Sequence, residues 1–290
     1  MGNIKSSLKK KKNLSSASII SERNHHNEES SINLTEVDRQ QEVYYHYKLM
    51  FNGNCSAPVH EYLRNGCKVL DIGCGSGIWI CELATEFPKS TFIGVDMVPV
   101  YPSEIKPNNA EFVKNNILKG LTFKDNEFDY VHSSKMGTVF KDEEWINKVI
   151  PELIRVTKPQ GWIEFSDVDI RLIDAGPNST RLVDGISQGM SNSGINTGSI
   201  TLVKKWLQPR VTNITELNKL VPIGVWEPTF GNFNLQDCVD FVKLQRSWLA
   251  NAMDITEDKL LKLEELAYAE FYSTKYKGKF SITRVFGQKI

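Results

Sequence analysis

The sequence has no apolar run near the roughly eighteen residues that a membrane-spanning helix needs, so the chain reads as soluble or peripherally attached. It has no excess of charge of either sign: 35 Lys and Arg balance 35 Asp and Glu. No global field therefore recommends nucleic acid or another polyanion as a partner. Cysteine is scarce and poorly spaced for metal. Cys55, Cys67, Cys74, Cys81 and Cys238 contain no CxxC pair, and the gaps from Cys67 to Cys74 to Cys81 suit neither a zinc ribbon nor a zinc finger; no metal site is expected. An odd number of cysteines without a secretory signal predicts reduced thiols in an intracellular, cytoplasmic protein.

What is present is ordinary globular material, 40% apolar and 24% charged over 290 residues, enough for one large domain with a full core. Residues 1–37 are the exception. They are rich in Ser, Asn, Lys, Glu and His, lack Phe, Tyr and Trp, and predict a disordered basic tail. Order is expected from Asp38, giving one domain over 38–290. Val43, Tyr44, Tyr47 and Met50 fall at helical spacing, and Pro58 suits the first turn of a second short helix.

From Gly66 the chain alternates strand and helix. Strands are expected over 67–72, 91–96, 111–114, 128–133 and 161–168, with helices over 78–86 and 145–156. That rhythm implies right-handed βαβ crossovers and a mostly parallel sheet covered on both faces. Residues 173–198 carry five glycines (176, 185, 189, 194, 198) and Pro177 with few periodic apolar residues, and read as a loop-rich cap. A helix over 199–208, a strand over 212–220, amphipathic helices over 237–252 and 257–272, and a strand over 280–286 complete the reading. The stretch 225–275 is expected to add to the cap.

The decisive segment is Val69-Leu-Asp-Ile-Gly-Cys-Gly-Ser-Gly77, a strand running into a glycine turn that opens a helix. Its spacing is GxGxG (Gly73, Gly75, Gly77) with Asp71 two positions ahead, whereas a dinucleotide fingerprint reads GxGxxG. A carboxylate there repels a pyrophosphate but accepts hydrogen bonds from the ammonium of an amino-acid ligand. Asp96, nineteen residues beyond Gly77, stands where ribose hydroxyls are bound in doubly wound sheets, and Asp is equally a helix cap. Asn116 offers an amide and Ile117 an apolar side chain to a purine. His132 ends the fourth strand, as a general base or as a satisfied structural residue. Asp167 and Asp169 follow the fifth strand, as site acids or as solvated ones. Tyr44, Tyr45 and Tyr47 either roof the ligand or pack their helix.

The ordered set VLDIGCGSG, IGVD, FVKNNILKGLTFKDNEFDYVH and RVTKPQGWIEF resembles the class I methyltransferases, and with DRQQEVYYHYKLMFNGNCSAPV ahead of it resembles their fungal LaeA-type group. The resemblance implies a Rossmann-like α/β fold with a mostly parallel seven-stranded sheet, helices on both faces and a partly helical cap. It implies S-adenosyl-L-methionine held by Asp71, Gly73, Cys74, Gly75, Gly77, Asp96, Met97, Asn116 and Ile117. Gln160 replaces the middle glycine of the usual PGG turn, and asparagine stands at 116 where aspartate is more common. The expected activity is methyl transfer to a small-molecule or protein acceptor. The alternative is a catalytically silent regulator of the same fold; a nicotinamide-dependent oxidoreductase is disfavoured by Asp71 and the GxGxG spacing.

Met1-Gly-Asn-Ile-Lys-Ser6 fits the N-myristoylation pattern with Gly2 as acceptor. Lys9 to Lys12 would add the second signal that stable peripheral membrane attachment requires; the same four lysines suit nuclear import or a plain basic tail.

Overall fold

The computed structural model describes the backbone of residues 34–290 and side chains from residue 37 onward. Gly2, Lys9–Lys12 and most of the expected tail lie outside the described residues. The tail boundary moves, because the first helix, α1 (Leu34–Met50), begins ahead of Asp38. No Gly or Pro interrupts it, so the helical spacing seen from Val43 extends toward the amino terminus. The short helix α2 (His60–Asn65) starts two residues after Pro58.

Strand β1 (Lys68–Ile72) leads through the glycine turn to helix α3 (Ile78–Glu86), and β2 (Thr91–Asp96) and β3 (Ala110–Lys114) follow. After β4 (Phe128–Ser134) the chain makes a π-helical turn (Trp145–Val149) that continues as α4 (Ile150–Val156). Pro151 has no N–H to give the preceding turn, and the widened π turn accommodates its ring.

β5 spans Thr157–Ile173, nine residues longer than 161–168. Gln160 sits within it at φ +64°, the left-handed conformation that the usual glycine supplies without strain. Helices α5 (Pro177–Asn192) and α6 (Ile200–Leu207), strand β6 (Val211–Pro222), helices α7 (Phe230–Leu244), α8 (Arg246–Ala252) and α9 (Glu257–Phe271), and strand β7 (Lys279–Lys289) complete the chain.

The seven strands form one sheet in the order β3-β2-β1-β4-β5-β7-β6. All neighbours from β3 to β5 pair in parallel, while β7 runs antiparallel between β5 and β6. One face buries Leu70, Ile72, Val131, Ile163 and Phe165 against α4 and α6; the other buries Val69, Tyr130 and Trp162 with Trp79, Ile80 and Leu83 of α3. Alternation along each strand thus assigns Asp71 and His132 to the α3 face.

Residues 173–198 are not loop-rich: α5 fills most of them. Its glycines are contact points and not breakers. A Cβ at Gly189 would approach Trp248 of α8 to 2.5 Å, and one at Gly185 would overlap Met253. With Leu182 and Ile186, α5 packs on Val242, Leu249, Leu260 and Leu263 as a separate apolar cluster of the cap. Among the described residues, no helix is long and apolar enough to cross a membrane.

Candidate functional site

Gly73, Gly75 and Gly77 take φ values of +73°, +52° and +72°, a region open to glycine at no steric cost. The turn is held from below by Gly73 and Cys74 N–H groups donating to Val95 O at 2.8 and 3.1 Å. Close approach explains the glycines as much as φ does. A Cβ at Gly77 would meet the Phe112 ring at 2.6 Å, one at Gly75 would meet Gln40 Oε1 at 2.8 Å, and one at Gly73 would overlap the Met136 sulfur.

Asp71 ends β1 beside this turn, 4% exposed. Its Oδ1 lies 2.8 Å from Nδ1 of His132, its register partner on β4. The His132 ring stacks on Trp79 with centroids 4.1 Å apart and planes at 8°. Asp96 crosses the mouth of the turn, Oδ2 accepting from Gly75 N–H and Oδ1 from Val98 N–H, both at 2.9 Å. Burial pushes its carboxyl up, against the pull of those backbone donors. Met97 beside it is exposed. Cys74 is buried, and burial followed by the carboxylates of Asp71 and Asp96 drives its thiol far up; it stays protonated.

Asn116 commits one lone pair of its side-chain oxygen to a local cap, accepting Leu118 N–H at 3.0 Å, and its NH2 group is left for a ligand. Ile117 is turned into the core, 5% exposed. The expectation that its side chain meets a purine ring gives way to packing, since the capped 3₁₀ turn points it inward. Tyr101 stacks on Phe112 at 5.0 Å and 9° beside the turn.

Beyond the turn, Asp167 is buried; its Oδ2 accepts Gly137 N–H at 2.6 Å and its Oδ1 accepts Val168 N–H at 2.8 Å. Desolvation outweighs these donors and pushes the carboxyl up to about 6. Asp169 pairs with Arg171. Asp167 lines a small cavity with Ser133, Met136, Trp145, Phe165 and Ser199. Of the three tyrosines, Tyr44 is buried with its OH donating to Asn54 Oδ1 at 2.7 Å, Tyr45 is exposed, and Tyr47 lies beneath the Lys135 ammonium at 5.8 Å.

Two contributors carried no signal in the sequence. Gln40 Oε1 accepts Ser76 N–H at 2.9 Å, bringing α1 onto the turn from 36 positions upstream. The same helix reaches the cap, where Arg39 pairs with Asp237 at 2.9 Å and His46 stacks on Phe233 at 4.2 Å. Trp79, in the first turn of α3, supports His132.

The arrangement has relatives. Residues 69–161 match the methyltransferase domain family. The chain is 29% identical over 143 residues to the secondary metabolism regulator laeA of Coprinopsis cinerea, covering 48% of this chain and 35% of that protein. It is 32% identical over 136 residues to the N-methyltransferase verN of Clonostachys rogersoniana, 46% and 47% of the two chains. To the methyltransferase pytC of Aspergillus terreus it is 28% identical over 204 residues, 66% and 59% of the two chains. The chain thus covers less than two thirds of each of these relatives. Among solved structures, one chain of the complex between the Haloferax volcanii Trm112 methyltransferase activator and a methyltransferase has the same fold. It superposes with a TM-score of 0.50 at 14% identity, over 88% of this chain and 94% of that one.

The left-handed glycines, the acid ahead of them, the strand order and these relatives agree: residues 69–161 match the methyltransferase domain family, and the chain resembles the class I S-adenosylmethionine-dependent methyltransferases and their fungal LaeA-type group.

Proposed function

We propose that this protein transfers a methyl group from S-adenosylmethionine to a small-molecule or protein acceptor. The observation that carries the reading is the buried Asp71 carboxylate beside a turn of three left-handed glycines. A phosphate there would meet a negative charge at close range, whereas an ammonium finds an acceptor in a site of low dielectric. The cofactor, when bound, supplies an electrophilic methyl carbon on its sulfonium.

In this reading Asp71 takes the ammonium, directly or through water, and the backbone of Gly73, Cys74, Gly75 and Gly77 forms the close wall. Asp96 takes the ribose hydroxyls. Its two oxygens each accept one backbone N–H, and a carboxylate has about four lone-pair sites, so capacity remains. Met97 flanks the nucleoside, and Asn116 offers its NH2 to the adenine edge. Transfer is an in-line displacement governed chiefly by positioning, and a base is required only where the acceptor must lose a proton.

Titration calorimetry with S-adenosylhomocysteine and then NADH tests the cofactor class: binding of the first and not the second is expected. Incubation of a metabolite extract with methyl-labelled S-adenosylmethionine tests transfer. A second reading, a catalytically silent regulator of the same fold, is supported by the regulator named among the relatives; tight cofactor binding without any labelled product would favour it.

Within the same reading the chain is intracellular and held peripherally at a membrane through acylated Gly2 and Lys9–Lys12. Intact-mass measurement after co-expression with an acyltransferase checks this, and an unmodified Gly2 would end it.

A further inference from the structure

His132 lies near the carboxyl end of β4, but its ring is not open to solvent. It is 3% exposed, sandwiched between Trp79 and the sheet, with Nδ1 on Asp71 Oδ1 at 2.8 Å. A carboxylate only accepts, so Nδ1 carries the proton and donates. No described residue donates to the other oxygen of Asp71, Oδ2.

The ring is itself held. It lies flat on Trp79 at 4.1 Å; Trp79 Nε1 donates to Asn54 O at 3.2 Å, and Tyr44 OH donates to Asn54 Oδ1 at 2.7 Å. A chain of fixed groups therefore runs from α1 through Asn54, Trp79 and His132 to one carboxylate oxygen. Such a relay serves to fix the torsion of the acid it ends on, since a carboxylate at a strand end otherwise rotates freely about its last bond.

We propose that His132 is a positioning residue, whose Nδ1–H locks Asp71 so that its other oxygen receives the ammonium of the cofactor's amino-acid end. This rests on the reading of Asp71 given above.

The test uses the full chain and two ligands that share a nucleoside and thioether: S-adenosylhomocysteine, which has the amino-acid end, and 5′-methylthioadenosine, which lacks it. His132→Phe keeps a flat ring on Trp79 and removes the donor; His132→Leu removes the donor without the ring, should the Phe variant not fold. Either is expected to weaken S-adenosylhomocysteine about tenfold, the scale of one hydrogen bond to a charged group, and to leave 5′-methylthioadenosine unchanged. His132→Asn, which retains an N–H at about the same place, is expected to restore most of the loss. In an Asp71→Ala background, His132→Phe should cost nothing further.

Equal weakening of both ligands, or of neither, would overturn the proposal, as would an Asn variant no better than Phe. Long-range 15N–1H NMR of the unmodified chain gives an independent reading: the proton belongs on Nδ1, and an Nε2–H tautomer would sink the idea. Failure of the underlying reading looks different. Asp71→Ala would then bind S-adenosylhomocysteine normally, whatever the His132 variants do.

Discussion

Gln40 and Ser76 are joined by a single hydrogen bond, 2.9 Å from the backbone N–H of Ser76 to the side-chain oxygen of Gln40. It ties the helix ahead of the sheet to the glycine turn. Gln40→Ala is expected to cost about 1 kcal/mol, the usual size of one such bond, and to speed amide exchange across 34–50 more than elsewhere. Hydrogen-exchange mass spectrometry reads this, and unaltered exchange in that helix would show that Arg39, His46 and Lys48 hold it without Gln40.

Gly73→Ala combines two penalties, a left-handed φ and overlap with Met136. A loss of about 2–4 kcal/mol is expected in urea unfolding. Adding Met136→Ala should return only the overlap part, because the backbone strain stays.

Glu164 is fully buried. It accepts from Ser56 N–H, Ala57 N–H and Tyr130 OH at 2.9, 2.8 and 3.0 Å, with the buried Arg284 guanidinium 3.7 Å away. Glu164→Ala strands that guanidinium and three donors, and about 3–5 kcal/mol should be lost. A variant that unfolds at the wild-type urea midpoint would contradict this.

Gln160→Gly is expected to stabilise the chain by about 0.5–1 kcal/mol, since a side chain at φ +64° is strained and glycine is not. The gain should appear as a higher urea midpoint with an unchanged slope.

Asp167 gives a pH dependence of known sign. Its folded carboxyl titrates at about 6, above the ordinary 3.8, because burial disfavours the charge. The folded state therefore binds the proton more tightly than the unfolded state. Its contribution is fully present below about pH 3.8 and is lost as pH rises through 6. Urea midpoints between pH 4 and 7 should show a downward component in the wild type that Asp167→Asn lacks; parallel curves would refute it.

The parts of this architecture that local chemistry dictates were legible. Helix 78–86 and strand 91–96 have the limits their apolar pattern and Pro88 predict, and Asp71, Asp96 and the three glycines converge as their spacing implies. Where tertiary contact decides, the reading fell short. Gly185 and Gly189 look like breakers in one dimension, but serve as the surface on which Met253 and Trp248 seat. Ile117 looked available to a ligand until the Asn116 cap turned it inward. Gln40 is one amide among many polar residues of a helix, and only the folded path of the chain brings it to Ser76.

The inserted seventh strand has a consequence for synthesis. β6 has β7 as its sheet neighbour and sits at the edge, so residues 211–222 have no partner until residues 279–289 have left the ribosome. Until then β5 presents an open border to any other extended chain. Assembly of this half of the sheet thus waits for a strand made well after its neighbours, and a nascent chain stalled within the cap would be the species most in need of a chaperone.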